Sequence, residues 1–221
     1  IRAERDLSEN RNGSPSPLRI LDTRLHADPS RVVLRPFHLG WQGRTTSGRA
    51  QRLVADIEAM SEAQVKRAYS DVRSDFAERH WQTEQMFDER FAEVAEQLQI
   101  ESKTLTPARK RLIGAYFCHE YSYAAAALMN PSIVPHPDQS GLDEKSCRFV
   151  MSLRAVGEGH ISSVAFREGI AKTDGSSSLW PQSSLATSVE LDDASLSDSE
   201  RGVIVHRHPE SNLSNTVIFP I

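Results

Sequence analysis

Cysteine is nearly absent from this sequence, with Cys118 and Cys147 the only two among 221 residues. They fall in segments of different character and lack metal-ligand spacing, which excludes a disulfide framework, leaves room for one bridge at most and fits a reducing compartment. Long apolar runs are missing as well. No stretch approaches the ~20 apolar residues that a membrane-crossing helix needs, and the charged opening Ile1-Arg2-Ala3-Glu4-Arg5-Asp6 is unlike a secretory signal. A surplus of one charge is equally lacking. The 26 Lys and Arg residues stand against 30 Asp and Glu, spread along the chain, so there is no basic footprint for nucleic acid and no polybasic membrane patch. The expectation is a soluble, cytoplasmic protein that engages neither. Because the first residue is Ile rather than Met, the start is expected to be processed or internal to a longer protein.

What is present is enough apolar residue, 38% of the chain, to bury the core of one large domain or two small ones. Residues 1–30 are polar and interrupted by Pro15, Pro17, Pro29 and Asn12-Gly13, which predicts an arm draped on the surface. The run Arg31-Val32-Val33-Leu34-Arg35-Pro36-Phe37 is β-branched and closed by proline, as in an edge strand. Residues 1–48 thus form a first segment, ending in a loop punctuated by Gly40, Gly43 and Gly48.

Residues 49–128 read as helical. Leu53, Val54, Ile57 and Met60 recur at three- and four-residue steps, and Val65, Ala68, Tyr69 and Val72 repeat the rule. Ser61 and Gln64 have the spacing of a capping box, which places a helix boundary at Met60-Ser61. The stripe Phe76, Trp81, Phe87, Phe91, Val94 and Leu98 predicts another helix with an aromatic core face. Thr106-Pro107 supplies an N-cap oxygen and a first-turn proline. The helix it opens is expected to run through the alanines 124–127 until Pro131 stops it.

Beyond Met129 the texture changes to β, so the whole is α+β: a helical half followed by an all-β half. Arg148–Arg154 and His160–Arg167, separated by Gly157-Glu158-Gly159, predict a hairpin. Gly202–His206 and Thr216–Phe219 are weaker strands, and the Ser- and Asp-rich residues 173–200 read as loop.

Within this half, Asn130-Pro131-Ser132-Ile133-Val134, His136-Pro137-Asp138-Gln139, Leu153-Arg154 and Gly159-His160-Ile161 leading to Glu168-Gly169 resemble glycoside hydrolase family 130, the inverting β-mannoside phosphorylases and β-mannosidases. A subgroup of that family also carries a helical N-terminal extension like residues 49–128. The resemblance implies that residues 129–221 hold the first blade or blades of a five-bladed β-propeller whose funnel binds a β-linked mannoside oligosaccharide. It implies substrate contacts from Asn130, Arg154 and His160. It also implies no cofactor, with inorganic phosphate as co-substrate in the phosphorolytic members.

The residue types suit that chemistry in their own right, because sugar hydroxyls need amide and guanidinium donors held in fixed geometry. A plainer reading has Asn130 cap the end of the long helix and Arg154 serve as an exposed strand charge. The family's catalytic acid is an aspartate in a Glu-Asp pair followed by arginine, downstream of a segment like Val217-Ile218-Phe219-Pro220. No such pair occurs before Ile221. Asp88-Glu89, Asp143-Glu144 and Asp192-Asp193 do not match it, so no catalytic residue is assigned. Blades of roughly 40 to 50 residues leave room for one or two after Met129, and the expectation is a fragment inactive alone.

Two other functions compete. One is a non-catalytic carbohydrate-binding or scaffold protein, completed by homo-oligomerisation or strand addition. The other is a metal enzyme using His206 and His208, which would share one face of a strand. It lacks a recognisable third ligand, and Tyr123 stands where His119-Glu120 would need a second histidine for a zinc signature. No metal site is assigned.

Overall fold

The computed structural model describes residues 20–37, 47–182, 185–190 and 216–219. Strand β1 (Val32–Pro36) precedes four helices, α1 (Ser47–Glu58), α2 (Glu62–Ala77), α3 (Thr83–Leu98) and α4 (Pro107–Tyr116). Strands follow: β2 (Cys118–Ser122), β3 (Ala127–Pro135), β4 (Ser146–Val156), β5 (Ser162–Lys172), β6 (Ser177–Leu179), β7 (Thr187–Glu190) and β8 (Thr216–Phe219). The fold is therefore α+β, with antiparallel pairing except between β7 and β8, which run parallel.

The helix starts follow their caps. Ser61 N–H donates to Gln64 Oε1 at 2.8 Å, and Gln64 N–H returns to Ser61 Oγ at 3.4 Å, so two end-of-helix donors are satisfied reciprocally. Arg109 N–H donates to Thr106 Oγ1 at 3.4 Å, with Pro107 in the first turn of α4. Ile57, Val65, Phe91, Val94, Leu112 and Ile113 from these four helices form one core. A second, joining Val33, Tyr121, Tyr123, Ala155, Ala165 and Val217, lies between the two sheets.

The long helix expected from Thr106 to Pro131 is corrected. It ends at Tyr116, and Cys118–Ser122 become β2, paired with β1 from Val32↔Ser122 to Pro36↔Cys118. The Phe117 carbonyl, instead of continuing a helical ladder, accepts from Phe37 N–H at 2.7 Å and Arg90 Nε at 3.0 Å. Alternation then decides the rest, because Tyr121 and Tyr123 reach one core only in an extended chain. Alanine propensity in Ala124–Ala126 yields to that burial, and those residues turn. Asn130 consequently caps no helix and lies in β3.

The loop expected over 173–200 is corrected in part, since Ser177–Leu179 and Thr187–Glu190 are strands. Among the described residues strand β7 pairs only with the distant β8, so no local pattern announces it. Residues 201–215, including the expected strand Gly202–His206 and the His206/His208 pair, lie outside the described residues, as does Asp192-Asp193. Of the expected arm, residues 20–30 are described. They carry no helix or strand, and Asp28 N–H donates to Ala124 O at 2.9 Å.

Candidate functional site

The longest hairpin positions the residues singled out by the sequence. Strands β4 and β5 pair without interruption from Ser146↔Lys172 to Val156↔Ser162. On the other side of β4, Met129 pairs with Arg154 and Ser132 with Ser152, a step of three residues against two. The extra residue is a β-bulge containing Asn130 and Pro131. Asn130 takes φ +52° there, a left-handed conformation that its short polar side chain tolerates better than most. Bulges of this kind re-aim a side chain and bend the edge.

Arg154 therefore has Met129 beside it on one strand and Val164 on the other, both exposed. Ser162 Oγ accepts from Arg154 Nε at 3.0 Å and Nη2 at 2.9 Å, engaging two of the five guanidinium N–H donors. The result is an exposed arginine between two exposed apolar side chains, with the bulge asparagine one residue on from the first of them. Amide and guanidinium donors flanked by apolar surface suit a polyhydroxylated ring.

His160 sits apart, at the tip of the β4–β5 connection and beyond the last pair of the ladder. It is exposed, with φ +61° directly after Gly159 at φ +62°. Tyr121 Oη holds this tip by donating to Glu158 O at 3.0 Å. A Cβ on Gly157 would come within 2.9 Å of the Tyr121 ring, so the sequence needs glycine there for space. Asn130 thus follows the strand partner of Arg154 by one residue, and His160 lies at the same end of the hairpin, without a hydrogen bond to either among the described residues.

A second polar cluster went unread in the sequence. His80 is buried at 5% exposure, and its Nε2 lies 2.7 Å from Glu120 Oε1, which also accepts from Arg79 Nε at 2.6 Å. Next to it, Trp81 Nε1 donates to Thr187 Oγ1 at 2.7 Å. These contacts tie the α2–α3 loop to β2 and β7. Burial pushes the His80 pKa below its usual 6.5, outweighing the pull of Glu120. Burial also works to raise Glu120, but hydrogen bonds from Arg79 and His80 leave it below the usual carboxylate value. A neutral imidazole donating from Nε2 to an ionised Glu120 fits both directions. Arg79-His80 and His119-Glu120 are about forty residues apart in sequence, and no periodicity links them.

A histidine depressed by folding takes up its proton first in the unfolded chain, so its stabilisation is complete above the unfolded value of about 6.5 and is lost as pH falls below it. The denaturation midpoint should therefore drop between about pH 7.5 and 5.5, and His80→Gln, which can still donate to Glu120, should flatten that drop. An unchanged slope in the folded variant would remove His80 as its source.

Both cysteines are free, and burial pushes the Cys118 thiol up to about 12, which makes it a poor nucleophile at neutral pH. Among the described residues no three His, Cys, Asp or Glu side chains gather to hold a metal, and no helix is long and apolar enough to cross a membrane. No family model, curated protein or solved structure matches this chain.

Proposed function

We propose that the exposed face bearing Asn130 and Arg154 is the sugar-contact wall of a β-mannoside phosphorylase or hydrolase of the family 130 type, with His160 as a third contact. In this reading β3, β4, β5 and β6, an antiparallel meander in chain order, form the first blade of a five-bladed propeller. The observation that carries it is the bulge, which holds Asn130 at φ +52° one residue from the strand partner of exposed Arg154. Strained asparagines at bulges concentrate where a side chain must be aimed. Inorganic phosphate would serve as nucleophile in a phosphorolytic relative.

Calorimetric titration with mannobiose, with and without inorganic phosphate, tests this reading. Saturable binding is expected, weakened about tenfold or more by Arg154→Ala, since a charge-assisted hydrogen bond is worth about 1.5 to 3 kcal/mol. Asn130→Gly keeps access to positive φ while removing the amide, so it should weaken binding without unfolding the chain. Absence of binding by the folded protein would reject the carbohydrate reading.

A second reading, a scaffold that associates through its sheet edge, draws on β3. Among the described strands it is the outer one of its sheet, with Ile133 and Val134 at 57% and 55% exposure, and uncovered apolar edges recruit further strands. Concentration-dependent self-association without sugar affinity would favour it.

A further inference from the structure

On the opposite face of the same sheet, a cavity of about 170 Å³ lies between the arm before β1 and the side chains of Leu128, Leu153 and Ala165. Leu153 and Ala165 alternate with Arg154 and Val164 along β4 and β5, so this cavity and the proposed sugar wall are on different sides of the strands. Three arginines, Arg24, Arg31 and Arg167, reach its lining. Among the described residues the lining has one carboxylate, Asp28.

Asp28 keeps its charge near Arg31, so three lining cations face one carboxylate. Its Oδ1 accepts from Ser30 N–H at 3.0 Å and Ser30 Oγ at 2.6 Å, and those bonds hold its pKa below the usual value. Arg31 Nε donates to Tyr123 Oη at 2.5 Å, which leaves the phenol proton of Tyr123 available to a ligand. Arg167 is positioned by Gln182 Oε1 and the Trp180 carbonyl, each at 3.0 Å. These partners are neutral, so they orient the guanidinium without cancelling its charge. Burial and then the nearby positive charge of Arg31 push the Arg167 pKa down. Two guanidiniums and a phenol are thus held close together over an apolar floor.

We infer that this cavity binds a small multivalent oxyanion, a phosphate group either free or as the head of a phosphate monoester, between Arg31 and Arg167 with Tyr123 as a third donor. A dianion offers acceptor oxygens to both forks and offsets the repulsion between them. The floor of Leu128, Leu153 and Ala165 gives an ester substituent apolar surface. The inference stands apart from the carbohydrate reading, since it uses neither Asn130 nor Arg154.

The test is titration of the 221-residue chain with inorganic phosphate and with phenyl phosphate, in the absence of sugar, followed by calorimetry. Saturable binding that weakens with added salt is expected, and it should fall about tenfold or more in Arg167→Gln and in Arg31→Gln. Arg154→Ala should leave it unchanged. Tighter binding of phenyl phosphate would identify a monoester as the natural source, and equal affinity would identify free phosphate. Arg24→Gln, at an exposed position, provides a variant expected to fold normally and to lose a smaller part of the affinity. Phosphate affinity unaltered in folded Arg31→Gln and Arg24→Gln, or lost in Arg154→Ala, overturns the assignment.

Discussion

Replacing Arg109 with methionine is expected to destabilise the fold by about 2 to 3 kcal/mol, the upper range for leaving buried carbonyls without a donor. Arg109 is 7% exposed, and its guanidinium sits where three helix ends meet. Nη1 donates to Ile57 O at 2.5 Å and Glu58 O at 2.9 Å, and Nη2 to Met60 O at 2.8 Å. Those carbonyls close α1, where a helix has no acceptor-side partners of its own and where a cation complements the dipole. Nη2 also meets Glu62 Oε1 at 2.6 Å in the first turn of α2, and Glu62 Oε2 accepts from the α4 cap Thr106 at 3.1 Å. Methionine matches the length of the stem but donates nothing, so the part-buried Glu58 and Met60 carbonyls lose this donor and Ile57 O keeps only Met60 N–H at 3.2 Å. Lysine keeps the charge but cannot fork, and Arg109→Lys should recover less than half of the loss. Denaturant unfolding followed by far-UV circular dichroism gives the number. A loss below about 1 kcal/mol would mean that water reaches those carbonyls.

Arg109 also marks where the sequence stops being legible. Its neighbourhood Pro107-Ala108-Arg109-Lys110-Arg111 looks like a solvated helix face, and for Lys110 and Arg111 a surface role is close to right. Arg111 is partly exposed and bridges to Asp88 and Glu84 of α3. Which of three adjacent cations goes inside depends on where the ends of α1 and α2 arrive, a tertiary fact without a local signal. Arg90 repeats the point. It is 3% exposed and donates to Phe117 O and Phe37 O. Its helix α3 carries only Phe87, Phe91, Val94 and Leu98 of the expected stripe, because Phe76 belongs to α2 and Trp81 to the loop between them. What depends on short-range chemistry was readable: the Ser61 capping box, the Thr106-Pro107 start, the β1 edge strand and the β4–β5 hairpin. Failures came where a distant partner overrides propensity, as in β2, which forms because β1 is there to pair with it. Of the candidate site, residue types were legible and the bulge was not. Asn-Pro reads equally well as a helix stop, and only pairing against β4 turns it into an inserted residue.

Gly114→Ala is expected to destabilise the fold by about 2 kcal/mol or more, although alanine is the better helix former by about 1 kcal/mol. Gly114 lies in the third turn of α4, facing α3. A Cβ there would come within 2.9 Å of the Phe87 carbonyl carbon and closer still to its oxygen. Both atoms belong to backbone inside a helix, so neither can swing aside as a side-chain tip could. Relief requires α3 and α4 to separate, and that separation loosens the packing of Phe87, fully buried with the Phe76 ring edge-on at 6.0 Å. Overpacking of this kind costs about 1 to 3 kcal/mol and more when the backbone must move, which exceeds the propensity gain. The sign of the measured change therefore decides between the two effects. Stabilisation by the alanine would show that the helices can shift apart without loss, and the close approach would then be incidental to the core. Destabilisation would fix Gly114 as the residue that sets the α3–α4 distance. That distance also places Arg90 and Arg111 on α3 and α4, so the variant should weaken both of their networks together rather than leave a local defect.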